Sequence, residues 1–334
     1  MKSVIIVLIT LFLINCTEKE IIEKANYPKY DLQLELDPAG RYLSVEGNLK
    51  FNSIYGTLDT LILYLHKQLR ISSFSINGFD NFRVDTTKSD IRFLPEAKKV
   101  LLIPGKPINK GDKIDVNFVY QGRITEYPSW SANVIDTNWS ELGLYFPWFP
   151  FNMDLRPFNY ELEVKVPSEY KVFAMGESTR QRNLLKITTK QPTNDLVLCA
   201  SKKMKIEETG IEGNKISIVH NDISSEIVDS VFLDVKKIYS NYNEWFGIKE
   251  GDMALVQSQR EQGGGYARTG GLFLAGFDGE RYLSVREGYM RYIGHELAHI
   301  WWNKANSNTW EDWLNEKLRR IQRIDADKKL IRQK

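Results

Sequence analysis

The sequence predicts an α+β protein, and three observations carry that expectation. Residues 27–205 repeat short runs with period-two alternation, as in YDLQLEL and YLSVEGNLKF, separated by turn clusters such as DPAG, NGFDN and GKPINKGD. Residues 222–246 switch to helical spacing, with Ile227, Val228, Val231, Phe232, Val235, Ile238, Tyr239, Tyr242 and Trp245 on one face. From there on strands and helices alternate, which points to a mixed domain. The expected organisation is an N-terminal antiparallel β domain over 27–205, either a sandwich or one large curved sheet, and a second, mixed domain over 206–334. The 334 residues, 42% of them hydrophobic, suffice for two cores.

The first elements concern targeting rather than folding. Met1 and Lys2 give a positive start, and the apolar run 4–14 ends at Leu13, Ile14, Asn15 and Cys16. That run is shorter than the roughly 20 residues a spanning helix needs, so 1–15 reads as a secretory signal peptide. A Cys closing such a run resembles the lipobox of bacterial lipoproteins. The resemblance implies that the signal is removed and Cys16 is lipidated, which anchors the protein to a membrane outside the cytoplasm. Residues 16–26, with the polar run TEKEIIEKAN, read as a tether. Cys199 is then the only remaining thiol, so no internal disulfide is expected. A net charge of +2 without a clustered basic face argues against nucleic acid as a partner.

Within 27–205, TLILYLH, KVLLIP, KIDVNFVY, YELEVKV and VLCAS continue the strand pattern. The aromatic-rich stretch 130–151 admits two readings: a sugar-stacking platform of Trp139, Tyr145, Phe146, Trp148 and Phe149, or a packed seam between domains. His66 and His220 read as structural. In the second domain, Asp222 is the expected N-cap of the first helix and Gly247 its stop. MALVQS and LFLAG read as strands, and GGGYARTGG between them as a glycine-rich loop. A second helix is expected from Ser284 to about Asn303. A third should begin at Thr309, where Thr309 and Asp312 have capping-box spacing.

The chemistry lies in that second helix, in GHELAHIWW. His295 and His299 are four residues apart, so they project from one helical face and can share one ion. Imidazole suits zinc, and a catalytic zinc takes three protein ligands. Glu296 stands beside the pair. Zinc lowers the pKa of water to about 7, and a neighbouring carboxylate can take the proton. The third helix offers Glu316 as the remaining ligand. Glu311 and Asp312 are rivals, but they lie in a first turn, where acids serve the helix dipole.

HELAHIWW followed by WLNE resembles the membrane alanyl aminopeptidase family of zinc peptidases. LYFPWFPF, DLRPFNYELEVKVP and FAMGE resemble that family's N-terminal β domain, in order. The resemblance implies one zinc ion held by His295, His299 and Glu316, with Glu296 as general base. It also implies a thermolysin-like catalytic domain, incomplete at its C-terminus, and a peptide substrate.

The chain departs from the family in four ways. The spacer 300–315 is two residues shorter than usual. The strand that carries an amine-binding Glu in the family reads GGGYART here, and Glu261 lies on the wrong side of the glycines. Gly264, Gly265, Tyr266 and Arg268 become the substrate-binding candidates, the glycine backbone by strand-like hydrogen bonds. After Glu316, residues 317–334 carry eight Lys or Arg against two Asp, with only Leu318, Ile321 and Ile324 as an apolar stripe. No Tyr follows Glu316 to stabilise the tetrahedral intermediate, and losing one such donor costs about a hundred- to a thousandfold in rate.

The resemblance thus implies a shortened copy of a larger peptidase, which a frame change just after Glu316 would produce. Reading the gene in the alternate frame tests that expectation. Two functions remain open on the sequence. One is an extracytoplasmic zinc metallopeptidase of aminopeptidase type, impaired by its shortening. The other is a catalytically inert surface lipoprotein that binds peptide or glycan through its β domain.

Overall fold

A computed structural model describes residues 27–78, 82–128, 130–131, 133–181, 184–259 and 264–301. The signal segment, the tether, Cys16, Glu261, the helix expected at Thr309 and Glu316 lie outside the described residues.

The chain is mostly β, with several sheets and few helices. In the first half the strands are β1 (Lys29–Asp37), β2 (Tyr42–Asn52), β3 (Thr57–Leu58), β4 (Leu61–His66), β5 (Arg70–Ile76), β6 (Phe82–Lys88) and β7 (Ala97–Pro104). They are followed by β8 (Ile108–Asn109), β9 (Lys113–Arg123), β10 (Ser140–Leu142), β11 (Asn159–Lys165), β12 (Lys171–Ala174), β13 (Glu177–Gln181), β14 (Leu184–Thr188) and β15 (Leu198–Ser201). A seven-stranded sheet runs β13-β14-β11-β1-β2-β9-β5, and a three-stranded sheet runs β4-β7-β6.

Alternation builds these strands. β1 buries Tyr30, Leu32, Leu34 and Leu36, and β9 buries Ile114, Val116, Phe118 and Tyr120, while the residues between them face outward. Each such side chain contributes about 1.5–3 kcal/mol by leaving water. β4 adds Leu61, Leu63 and Leu65 to the same core. One expectation is corrected: the sheet is not wholly antiparallel. β1 pairs in parallel with β11, Lys29 opposite Asn159 through Glu35 opposite Lys165. Such a pair needs a long connection, and more than a hundred residues intervene.

The second half holds β16 (Lys205–Ile211), β17 (Asn214–His220), β18 (Met253–Ser258), β19 (Tyr266–Arg268) and β20 (Gly271–Ala275), in the order β16-β17-β18-β20-β19. A 22-residue helix, Ser225–Phe246, crosses from β17 to the parallel strand β18. It buries the apolar face expected of it except Trp245. Its N-cap is Ser224, whose hydroxyl accepts from the N–H of Ile227. Asp222 is drawn away instead: its carboxylate accepts from Gln257 Nε2 at 2.8 Å. Gly247 stops the helix at φ 92°, a conformation that favours glycine. Among the described residues no helix is long and apolar enough to cross a membrane.

The segment expected as a loop, GGGYARTGG, contains a strand. β19 pairs antiparallel with β20 and forms the sheet edge. The turn at Thr269 and Gly270 folds it back, with Gly270 at φ 75°.

A third cluster joins the two halves: Trp139, Val197, Cys199 and Met204 pack with Val219, Ala254, Val256, Tyr266 and Phe273. Phe146, Trp148, Phe149 and Phe151 are fully buried in the first core. The aromatic stretch is therefore packed: Trp139 and Tyr145 lie at the seam and the others in the first core, and only Tyr145 among the five platform candidates stays half-buried.

Candidate metal and peptide site

The motif helix is Arg286–Ala298, preceded by a short helix, Gly279–Tyr282. It starts two residues later than Ser284 and ends before Asn303. His299 is its C-cap, and the chain leaves through tight turns in which the N–H of His299, Ile300 and Trp301 bond three residues back.

The 22-residue helix holds it in place. Asp234, 5% exposed, accepts both arms of the Arg286 guanidinium at 2.7 Å and the Tyr282 hydroxyl at 2.6 Å. The Tyr242 hydroxyl donates to the Gly294 carbonyl at 3.0 Å, one residue before His295. A Cβ at Gly294 would meet that hydroxyl at 3.3 Å, so the small residue permits the close approach. Trp301 sits edge-on to Tyr239 and Tyr242, and its indole N–H donates to the Gly247 carbonyl at 2.9 Å. Ile293 and Leu297 are fully buried beneath the motif.

His295 and His299 come together as the spacing demands. Their ring centres are 5.3 Å apart and the planes are perpendicular. Two imidazoles sharing one tetrahedral ion, each through one nitrogen at about 2.0–2.1 Å, place their ring centres about 5 Å apart. The observed separation therefore fits a zinc ion. Glu296 is 5% exposed, and its Oε2 lies 3.8 Å from His299 Nε2. Among the described residues no group of three metal-binding side chains forms; the expected third ligand, Glu316, lies outside them.

The substrate-binding candidates divide. Gly265 lies where β19 approaches the motif helix. A Cβ there would be 2.6 Å from the Phe273 carbonyl and 2.4 Å from the Tyr292 hydroxyl, so glycine is a steric requirement. A Cβ at Gly264 would meet no described atom within 4 Å. Tyr266 is no surface group: it stacks on Phe273 at 4.7 Å and its hydroxyl bonds the fully buried Glu141. Burial pushes that hydroxyl's pKa well up, and the Glu141 charge adds to the shift.

Arg268 lies over the rings of Tyr266 and Tyr145, and its Nε donates to Asp195 at 2.7 Å. Burial is the largest single influence and opposes its charge, but Asp195, Tyr145 and Tyr266 together raise the pKa. A cleft of about 600 Å³ includes Arg268, Tyr145 and His299 in its walls.

Sequence reading missed the polar seam beneath the site. Glu141 accepts from Trp139 Nε1 at 3.0 Å as well as from Tyr266, and Asn133 Nδ2 lies 3.3 Å from the same Tyr266 hydroxyl. The network fastens β19 to the first half of the chain. Nothing in the sequence separates Glu141 from a solvent-facing glutamate.

No protein-family model matches the sequence, and no curated protein matches it. Solved structures do. An M1 zinc metallopeptidase from Deinococcus radiodurans is similar with a TM-score of 0.58 at 17% identity, over 83% of this chain and 64% of that one. A mutant of that enzyme bound to a Tyr-Ser-Ala substrate gives the same values. A two-domain M1 zinc metallopeptidase mutant bound to L-arginine is similar with a TM-score of 0.56 at 15% identity, over 81% and 64%. The fold is thus similar to that of M1 zinc metallopeptidases, and this chain spans less than two-thirds of their length.

Proposed function

We propose that the protein hydrolyses peptide bonds with zinc, in the manner of an aminopeptidase, and is held outside the cytoplasm by a lipid on Cys16. The observation that carries the reading is the His295–His299 pair at 5.3 Å with the Glu296 carboxylate 3.8 Å from His299 Nε2, on a fold shared with zinc peptidases. His295, His299 and Glu316 would hold the metal. When bound, zinc would polarise the peptide carbonyl and make water more acidic.

The chain's own residues do the rest. Glu296 takes a proton from the attacking water at Oε2 and returns it to the departing amine nitrogen. The backbone of β19 and of Gly264 and Gly265 before it lines up the substrate backbone. Gly265 lets that edge lie against the motif helix. Asp234, Tyr242 and Trp301 fix the helix so that the groups keep their spacing.

The test is Glu296→Gln in zinc-loaded full-length protein, assayed on aminoacyl and internally quenched peptides with and without chelator. Hydrolysis should fall by about a hundred- to ten-thousandfold while zinc stays stoichiometric. Undiminished turnover in that variant would end the proposed role of Glu296.

A further inference from the structure

The cleft beside His299 has an unbalanced wall. Arg156 and Arg268 both line it, with Tyr145, Asn194 and the exposed Lys249. Arg268 is matched by Asp195, which is 4% exposed. Among the described residues Arg156 has no such partner: its Nε and Nη2 reach the carbonyl and sulfur of Met153, at 3.3 and 3.5 Å, and its guanidinium lies over the Phe151 ring. Arg268 Nη2 has no hydrogen-bond partner among the described residues. Burial is the main cause that lowers the Arg156 pKa; the Asp195 charge raises it, the neighbouring Arg268 lowers it and the Asp154 charge raises it, and arginine stays charged.

The acids at the mouth do not restore the balance. Asp252 is committed to Lys190 at 2.8 Å and to the N–H of Lys215 at 2.9 Å, and Glu250 lines the cleft next to Lys249 in sequence. A half-buried guanidinium with no direct ion pair among the described residues, sharing the Asp195 charge with a second guanidinium, has room for an anion that a ligand would supply.

We propose that Arg156 and Arg268 form a carboxylate subsite in the cleft beside His299, so that the protein selects short peptides bearing an acid there. The inference rests on the peptidase reading for its substrate class. Peptides carry two kinds of carboxylate, the C-terminus and Asp or Glu side chains, and the planar guanidinium fork suits both. A cleft of about 600 Å³ has the size of a small-ligand site and suits a few residues of peptide.

The experiment measures binding rather than turnover. Zinc-loaded full-length protein carrying Glu296→Gln is titrated by calorimetry with four probes: trialanine, trialanine amide, Ala-Glu-Ala amide and Ala-Gln-Ala amide. The expected result is about tenfold tighter binding of an acid probe than of its neutral counterpart. A gap between the first two assigns the C-terminal carboxylate, and a gap between the last two assigns the side chain. Adding Arg156→Gln should close the gap, and adding Arg156→Lys should keep part of it. Arg156 is the position to change because no buried acid is orphaned by its loss.

Equal binding of acid and neutral probes, a gap that survives Arg156→Gln, or no binding of any probe overturns the subsite. Hydrolysis of the same peptides by the unsubstituted protein is read separately. An acid preference without hydrolysis sinks the peptidase reading alone, and hydrolysis without a preference sinks the subsite alone.

Discussion

The sheet interior and the end of the motif helix each hold two histidines, and they treat them oppositely. His66 closes β4 and is fully buried, with Nε2 at 3.0 Å from the Glu126 carbonyl and Nδ1 accepting from the N–H of Gln68. His220 closes β17, is also fully buried, and has Nδ1 accepting from the N–H of Ile223 and Nε2 facing Glu207. Both rings are held by one local partner per nitrogen, and burial lowers both pKa values, that of His66 to about 4. His295 and His299 instead stand at a helix end, half-buried, aimed at shared space. Spacing on an element, not residue type, separates a fastening from a candidate ligand.

The largest effect that could break this contrast is on the metal. His299→Ala should remove stoichiometric zinc and, with it, measurable hydrolysis, while His66→Gln should leave zinc content unchanged. Elemental analysis of both purified variants decides it. Zinc retained at full stoichiometry by His299→Ala would erase the distinction between the two pairs.

The next effect is a pH dependence of stability. In the unfolded chain His66 has an ordinary pKa of about 6.5, and in the fold it is about 4. Between those values the unfolded state binds the extra proton, so stability rises with pH across that window. The contribution is fully present above about pH 6.5 and is lost as pH falls toward 4. The difference corresponds to about 3 kcal/mol. Denaturant midpoints at pH 4, 5, 6 and 7 should show this loss in the native sequence and a shallower one in His66→Gln. Parallel curves would show that His66 is not held neutral.

Gly265→Ala probes the other side of the contrast, where glycine rather than histidine sets the geometry. Its Cβ would collide with the Phe273 carbonyl and the Tyr292 hydroxyl. Overpacking of this kind costs about 1–3 kcal/mol. The stability loss should come with weaker peptide binding at unchanged zinc content. Gly264→Ala, whose Cβ would meet no described atom within 4 Å, should be nearly silent.

These contrasts also show what was legible in the sequence. Strands with one buried face, such as β1 and β9, announce themselves by alternation. β13 has every residue exposed and β16 buries only Ile211, and neither carries a signal. The parallel pairing of β1 with β11 joins segments too far apart for any local pattern to report. At the site, the histidine spacing and Glu296 are readable because helical geometry alone sets them. Glu141, Asp195 and Arg156 are not, because their meaning comes from which surfaces meet across the seam. Tyr266 was named for a neighbouring glycine loop, yet its side chain belongs to that seam.

The smallest expected effect concerns the helix that carries the motif helix. Ser224 caps it through a bond to the Ile227 N–H of 3.5 Å, at the long end of the range. Ten residues along that helix are buried, and Asp234, Tyr242 and the Trp301 contacts tie it to the motif. If packing rather than capping holds it, Ser224→Ala should cost about 0.5–1 kcal/mol, at the low end for a lost N-cap. Zinc content and peptide binding should not change. Arg286→Met attacks the packing side instead: it strips a nearly buried carboxylate of its guanidinium and should destabilise by more than the cap variant. A cap variant that loses more stability than Arg286→Met, or that releases zinc, would place the helix's anchorage at its first turn rather than along its buried face.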